Sequence, residues 1–132
     1  MPTCFSETII TLGGAFFEKM LLIDDNINFL KLLSNLLQRK FEVYMATGVK
    51  EAMQIFESIY IDMICSDYFM TDGTGFDILK KVNSLNIAIP FIILSGLEDS
   101  TLIQKVESYH AMFYCKTNPE SLSKLCDIGY SE

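Results

Sequence analysis

Four polar clusters in the sequence could do chemistry together: Asp24-Asp25, Ser66-Asp67, Ser95-Gly96 and Lys116-Thr117. Two carboxylates ~4 Å apart repel by about 4 kcal/mol at an effective dielectric near 20, so gathering Asp24, Asp25 and Asp67 would require a cation. Mg²⁺ fits, because it takes oxygen ligands, retains waters and is commonly held by one or two carboxylates with phosphate oxygens. Lys116 would supply a second positive centre, a point charge suited to a phosphoryl oxygen or to Asp67. Ser95 adds a hydroxyl donor, and Gly96 leaves space beside it. Such a set suits phosphoryl transfer, which needs positioning and charge neutralisation more than covalent chemistry. Asp67 is the candidate nucleophile: ionised at neutral pH, it accepts a phosphoryl group without a general base. Singly, these residues read as a helix cap, a turn residue, a loop start and a surface amine; the argument rests on their combination.

The elements that must position them are short apolar runs alternating with helical patterns. Five strands are predicted at Met20–Ile23, Val43–Ala46, Met63–Cys65, Phe91–Leu94 and Ala111–Cys115. Between the first two, Phe29, Leu32, Leu33 and Leu36 recur at helical spacing, and Leu30, Leu33 and Leu37 broaden the stripe. Val49, Ala52, Met53 and Phe56 mark a second helix, with Thr47 as its expected cap, and Phe76, Leu79 and Val82 mark a third. Leu102, Val106 and Tyr109 follow the cap candidates Asp99 and Ser100, and a fifth helix follows Pro119 through Leu122, Leu125 and Cys126. This alternation predicts a doubly wound, flavodoxin-like α/β domain, a five-stranded parallel sheet with helices on both faces. Ligands bind such sheets at the carboxyl ends of the strands, where the four polar clusters stand.

The 132 residues suit one domain. Residues 1–18 read as an extension of unknown role, with Thr8–Leu12 a possible strand and Gly13-Gly14 the break before a domain over 19–132. Ten basic against seventeen acidic residues give a net charge of −7, which disfavours direct nucleic-acid binding. No apolar stretch approaches the ~20 residues that span a bilayer, and residues 1–18 lack the basic start of a signal peptide. The four cysteines form no CxxC pair and His110 is the only histidine, which excludes the usual zinc patterns. Cys65 and Cys115 sit in apolar runs, as expected of buried thiols in a reducing cytoplasm.

These residues, in this order, resemble the receiver domain of two-component response regulators over roughly residues 19 to 128. Leu21-Leu22-Ile23-Asp24-Asp25 is similar to the family's acidic pair, and Asp67-Tyr68-Phe69-Met70 with Gly75 to its phosphoacceptor loop. Ile93-Leu94-Ser95-Gly96 and Phe113-Tyr114-Cys115-Lys116 resemble its switch hydroxyl and lysine segments. The resemblance implies that Asp67 receives a phosphoryl group from a phosphohistidine on a sensor histidine kinase or histidine phosphotransfer protein. It implies Mg²⁺ held by Asp25, Asp67 and the backbone carbonyl of Phe69, with Asp24 acting through water. Ser95 and Lys116 would contact the phosphoryl oxygens and Phe113 would be the switch aromatic, reshaping a face that a downstream protein target reads. Self-phosphorylation from small phosphodonors and autodephosphorylation would be the extent of any enzymatic activity.

Some positions depart from the family's pattern. Thr117 follows the lysine where proline is usual, so the loop there is expected to be rebuilt, and Thr71 in place of a common proline is expected to loosen the acceptor loop. Phe113 lacks the hydroxyl of the tyrosine in many relatives. Phe69, bulky beside the acceptor, is expected to hinder the water that hydrolyses an aspartyl phosphate. The last helix looks short for family-style dimerisation, so a monomer or weak dimer is expected. The leading expectation is a stand-alone receiver signalling by protein contact; the alternative is a degenerate receiver that binds partners without phosphorylation. A phosphatase using Asp24 as nucleophile would want an aspartate where Asn26 stands, and a flavin-phosphate binder would want amides and hydroxyls where the acidic pair stands. His110 reads as a surface or packing residue, and the seven methionines as packing.

Overall fold

A computed structural model of the protein describes residues 17–128. The expected strand at Thr8–Leu12, the Gly13-Gly14 break and Cys4 lie outside the described residues. Seven strands run β1 Glu18–Ile23, β2 Phe41–Ala46, β3 Met63–Ser66, β4 Phe69–Met70, β5 Gly73–Thr74, β6 Phe91–Ser95 and β7 Met112–Cys115. The helices are α1 Ile27–Leu37, α2 Val49–Ser58, α3 Gly75–Ser84, α4 Ser100–Glu107 and α5 Pro119–Ile128. Five strands form one parallel sheet in the order β2-β1-β3-β6-β7, while β4 and β5 pair antiparallel in a separate hairpin. No helix among the described residues is long and apolar enough to cross a membrane.

The sheet separates two apolar layers. Leu21 and Ile23 of β1 face Ala52 of α2, Ile78, Leu79 and Val82 of α3 and Val106 of α4. Met20 and Leu22, one residue out of phase, face Leu30, Leu33 and Leu37 of α1 and Leu125 of α5. Both sets are buried because alternate side chains of a strand point to opposite faces. A strand covered on both sides therefore reads as a continuous apolar run, which makes β1 and β6 visible in the sequence.

Several expectations are corrected. β1 begins at Glu18, inside the expected extension, because Glu18 pairs with Phe41 and the whole of β2 is matched. On α1, Leu30, Leu33 and Leu37 are buried whereas Leu32 and Leu36 are 49% and 41% exposed, so the second of the two overlapping stripes faces the sheet. Thr47 does not cap α2: its N–H and hydroxyl donate to Glu51 Oε1 at 2.8 and 3.0 Å. The cap comes from across the fold, where Asp72 accepts from Val49 N at 2.8 Å and Lys50 N at 3.1 Å. Tyr109 lies past the end of α4, yet its ring meets Phe76 edge-on at 4.9 Å. Cys65 is buried as expected, but Cys115 is only half-buried.

The turn from the hairpin into α3 brings two backbone segments unusually close. Thr74 and Asp77 form a reciprocal capping box at 2.9 and 3.1 Å. Gly75 N donates to the Tyr68 carbonyl at 2.7 Å, and a Cβ on Gly75 would lie 2.4 Å from the Asp67 carbonyl oxygen. That oxygen belongs to backbone and cannot swing aside. Gly75→Ala is therefore expected to destabilise the fold by roughly 1–3 kcal/mol, as overpacking does. The loss should appear as a lower urea midpoint at unchanged slope, and an unchanged midpoint would count against this close approach.

Candidate functional site

The sheet delivers the polar residues by continuing its hydrogen-bond pattern just past the strand ends. Asp24 N donates to Ala46 O at 3.1 Å, Asp67 N to Ile23 O at 2.8 Å, and Lys116 N to Ser95 O at 2.8 Å. The backbone at each site residue is thereby fixed by a neighbouring strand. β1 and β3 are adjacent, so one carboxylate oxygen from each of Asp24, Asp25 and Asp67 lies within 4.8 Å of the others. The expected convergence of the three acids is observed.

Burial grades the three carboxylates. The Asp24 side chain is 3% exposed; its Oδ1 accepts from Asn26 N at 2.9 Å and its Oδ2 sits 2.6 Å from Lys116 Nζ. Asp67 is 13% exposed; its Oδ1 accepts from Tyr68 N at 2.8 Å and its Oδ2 lies 3.5 Å from Lys116 Nζ. Asp25 is exposed, and its Oδ2 accepts the Thr71 hydroxyl at 3.1 Å. Lys116 thus bonds Asp24 more closely than Asp67, where the sequence suggested Asp67 or a phosphoryl oxygen. The reason is burial: Asp24 is the least hydrated of the three and most in need of a counter-charge.

Desolvation, followed by the neighbouring Asp24 charge, raises the Asp67 pKa above its ordinary 3.8, against the opposing pull of Lys116 and the Tyr68 N–H. Beneath the acids, burial pushes the Cys65 thiol up to about 12, leaving it a small apolar packing group. Three carboxylates and one ammonium carry a formal charge of −2, which a divalent cation balances. An all-oxygen donor set gathered around that deficit fits Mg²⁺.

Ser95 is 2% exposed, and its Oγ accepts from Leu97 N at 3.2 Å. Phe113 is half-buried and packs on the α2–α3–α4 layer. Phe69 is 54% exposed, with its ring edge-on to Tyr68 at 4.7 Å. After Lys116 the chain makes a tight turn: Asn118 N donates to Cys115 O at 3.2 Å, and Asn118 Oδ1 accepts from Glu120 N at 2.9 Å. No cis peptide bond occurs among the described residues. Thr71, standing where a proline was the expected residue, ties the loop after Asp67 to Asp25 through its hydroxyl, a donor that proline lacks. His110 is exposed at φ 66°, just beyond α4 and away from the acids.

Three residues make contacts at the site that the sequence reading did not assign to them. Phe29 looked like core, yet its ring lies 4.4 Å below Lys116 Nζ and supports the ammonium by a cation–π contact. Ser66, fully buried, donates its hydroxyl to the Asp67 carbonyl at 2.8 Å and pins the backbone of Asp67. Thr71 is the third. Only Ser66 had a legible signal, a hydroxyl at the end of an otherwise apolar strand.

Residues 20–126 match the response regulator receiver domain. The chain is 33% identical over 132 residues to the two-component response regulator ORR5 of Oryza sativa subsp. japonica, the match covering 96% of each. It is 32% identical over 114 residues to the two-component response regulator ORR3 of Oryza sativa subsp. indica, covering 82% of this chain and 87% of that relative. Among solved structures, the chemotaxis protein CheY4 of Vibrio cholerae superposes with a TM-score of 0.77 at 28% identity, covering 86% of this chain and 98% of the other. With the acidic cluster and the lysine at the ends of a matching parallel sheet, the chain belongs to the response regulator receiver domain family of two-component systems.

Proposed function

We propose that Asp67 accepts a phosphoryl group from a phosphohistidine of a sensor histidine kinase or histidine phosphotransfer protein, and that the modified chain signals to a downstream protein. The observation that carries this is the gradation among the three acids. Asp24 is sealed, with an N–H on one oxygen and Lys116 on the other, and Asp25 stands at the exposed edge. Asp67 lies between them, accessible enough to react and close enough to Lys116 for the product to be held.

In the transfer, a carboxylate oxygen of Asp67 forms a bond to phosphorus as the P–N bond breaks and its electron pair returns to the imidazole nitrogen. Asp67 attacks as the anion, so no proton has to be removed from it. Asp25, Asp67 and the Phe69 backbone carbonyl, with Asp24 through water, would hold Mg²⁺, and the bound ion would supply charge neutralisation for the phosphoryl oxygens. Lys116 holds a phosphoryl oxygen, braced from below by Phe29. Ser95 contributes its hydroxyl by leaving the Leu97 amide, and Phe113 follows inward, which shifts the surface built from β6, α4, β7 and α5.

Incubation with Mg²⁺ and acetyl phosphate should add one phosphoryl group, located at Asp67 by mass spectrometry and absent from Asp67→Asn. Modification at any other residue would overturn the assignment.

Phe69→Asn should speed loss of the phosphoryl group by admitting water beside the acceptor, seen as faster decay of the phosphorylated mass. An unchanged or slower decay contradicts the shielding role.

The raised Asp67 pKa has a consequence for stability. Its carboxylate favours the fold while protonated, below the unfolded value near 3.8, and that contribution is lost as pH rises through the higher folded pKa. Without divalent ions, Asp67→Asn should therefore melt above the wild type at pH 7, and the gap should close as pH falls toward 4. A gap that widens on acidification would reverse the sign.

A further inference from the structure

The acceptor loop is fastened at both residues of its tip. Thr71 Oγ1 donates to Asp25 Oδ2 at 3.1 Å, while the next residue, Asp72, accepts the first two amides of α2 at 2.8 and 3.1 Å. Those amides hold Asp72 as an anion, and its pKa is lowered by the Lys50 and Val49 N–H groups. The tip is therefore bonded to α2, and Thr71 is presented to Asp25 from a braced position although both residues are exposed.

Asp25 depends on this contact in a way its partners do not. Asp24 is oriented by Asn26 N and Lys116, and Asp67 by Tyr68 N and Lys116. For Asp25 the orienting group is the Thr71 hydroxyl. A carboxylate on the protein surface otherwise rotates among rotamers, and each must be given up when it takes a fixed ligand position.

We infer that Thr71 is a positioning residue for the divalent cation. Acting through Asp25, it holds one carboxylate oxygen so that the group is arranged before the metal arrives, and Asp72 braces it against α2. The inference rests on the reading of Asp24, Asp25 and Asp67 as the metal site. The architecture makes room for the brace: a Cβ on Gly48, at the entry to α2, would lie 2.7 Å from Asp72 Oδ1. Groups that orient a metal-binding side chain typically change affinity by roughly 10- to 100-fold when removed, and one hydrogen bond at an exposed carboxylate belongs at the lower end.

The test is calorimetric titration of the full chain with Mg²⁺, with no phosphodonor present. Thr71→Val keeps the shape and removes the hydroxyl; it should weaken Mg²⁺ binding about tenfold while leaving the metal-free melting temperature unchanged. Thr71→Ser should restore near-wild-type affinity, and Asp72→Ala should weaken binding in the same direction with the hydroxyl intact. Wild-type affinity in Thr71→Val, or failure of Thr71→Ser to restore it, overturns the role of Thr71 while leaving the metal site standing. If the wild type itself binds no Mg²⁺, or Asp25→Asn binds as tightly as the wild type, the metal reading falls and this inference with it.

Discussion

The structure depends on keeping carboxylates together that repel one another. Asp24 and Asp67 approach within 4.8 Å, where two like charges oppose each other by roughly 3 to 4 kcal/mol at an effective dielectric near 20. Lys116 is the intramolecular answer, contacting both through a single ammonium at 2.6 and 3.5 Å. One positive charge cannot offset three negative ones. That imbalance suits the site to a divalent ion, and under the proposed function the electrostatic cost in the resting fold and the capacity to take a phosphoryl group would have the same origin.

The sheet can hold such a cluster because its two apolar layers are complete without it. Buried side chains on both faces of β1, β3 and β6 fix the register, and the backbone bonds from Asp24, Asp67 and Lys116 to adjacent strands continue that register into the polar end. Each layer also sends a support upward. From the α1 side, Phe29 lies under Lys116 and Asn26 caps α1 beside the acidic pair, its Oδ1 accepting from Phe29 N at 3.1 Å. From the other side, the α2 amides hold Asp72 and through it the loop tip.

What was legible in the sequence follows from these physics. A parallel strand buried on both faces must be apolar throughout, so its end is marked by an abrupt change, as at Ile23-Asp24 and Leu94-Ser95. The acids and the lysine could be found because they stand at those changes. Residues joined only by long-range geometry could not. Nothing near Asp72 signals that it caps a helix beginning 23 positions earlier, and β4 and β5, two residues each, are too short to show any period. On α1 the two overlapping leucine stripes satisfy the same spacing, and only the position of the helix over β1 decides that Leu33 and Leu37 go in while Leu32 and Leu36 stay out. Phe29, at the border between stripe and site, serves both.

The packing also distinguishes the two sides of the site by the room each leaves for change. On the acceptor side there is little: Gly75 lies against the Asp67 carbonyl, Gly48 against Asp72, and the loop between is bonded to Asp25 and to α2. On the opposite side, a Cβ placed on Gly96 would meet nothing within 4 Å, and the segment from Gly96 to Ser100 is exposed. Ser95 Oγ accepts there from the Leu97 amide, one hydrogen bond at 3.2 Å, and its own hydroxyl hydrogen is available to a charged acceptor, a stronger bond than the one it would give up. A close-packed interior changes by shifting between discrete arrangements, and it does so where atoms have space to go. Added charge at Asp67, under the proposed function, would therefore meet a braced loop on one side and be accommodated at the β6–α4 junction on the other, so the direction of the switch would be set by where the glycines are crowded and where they are not.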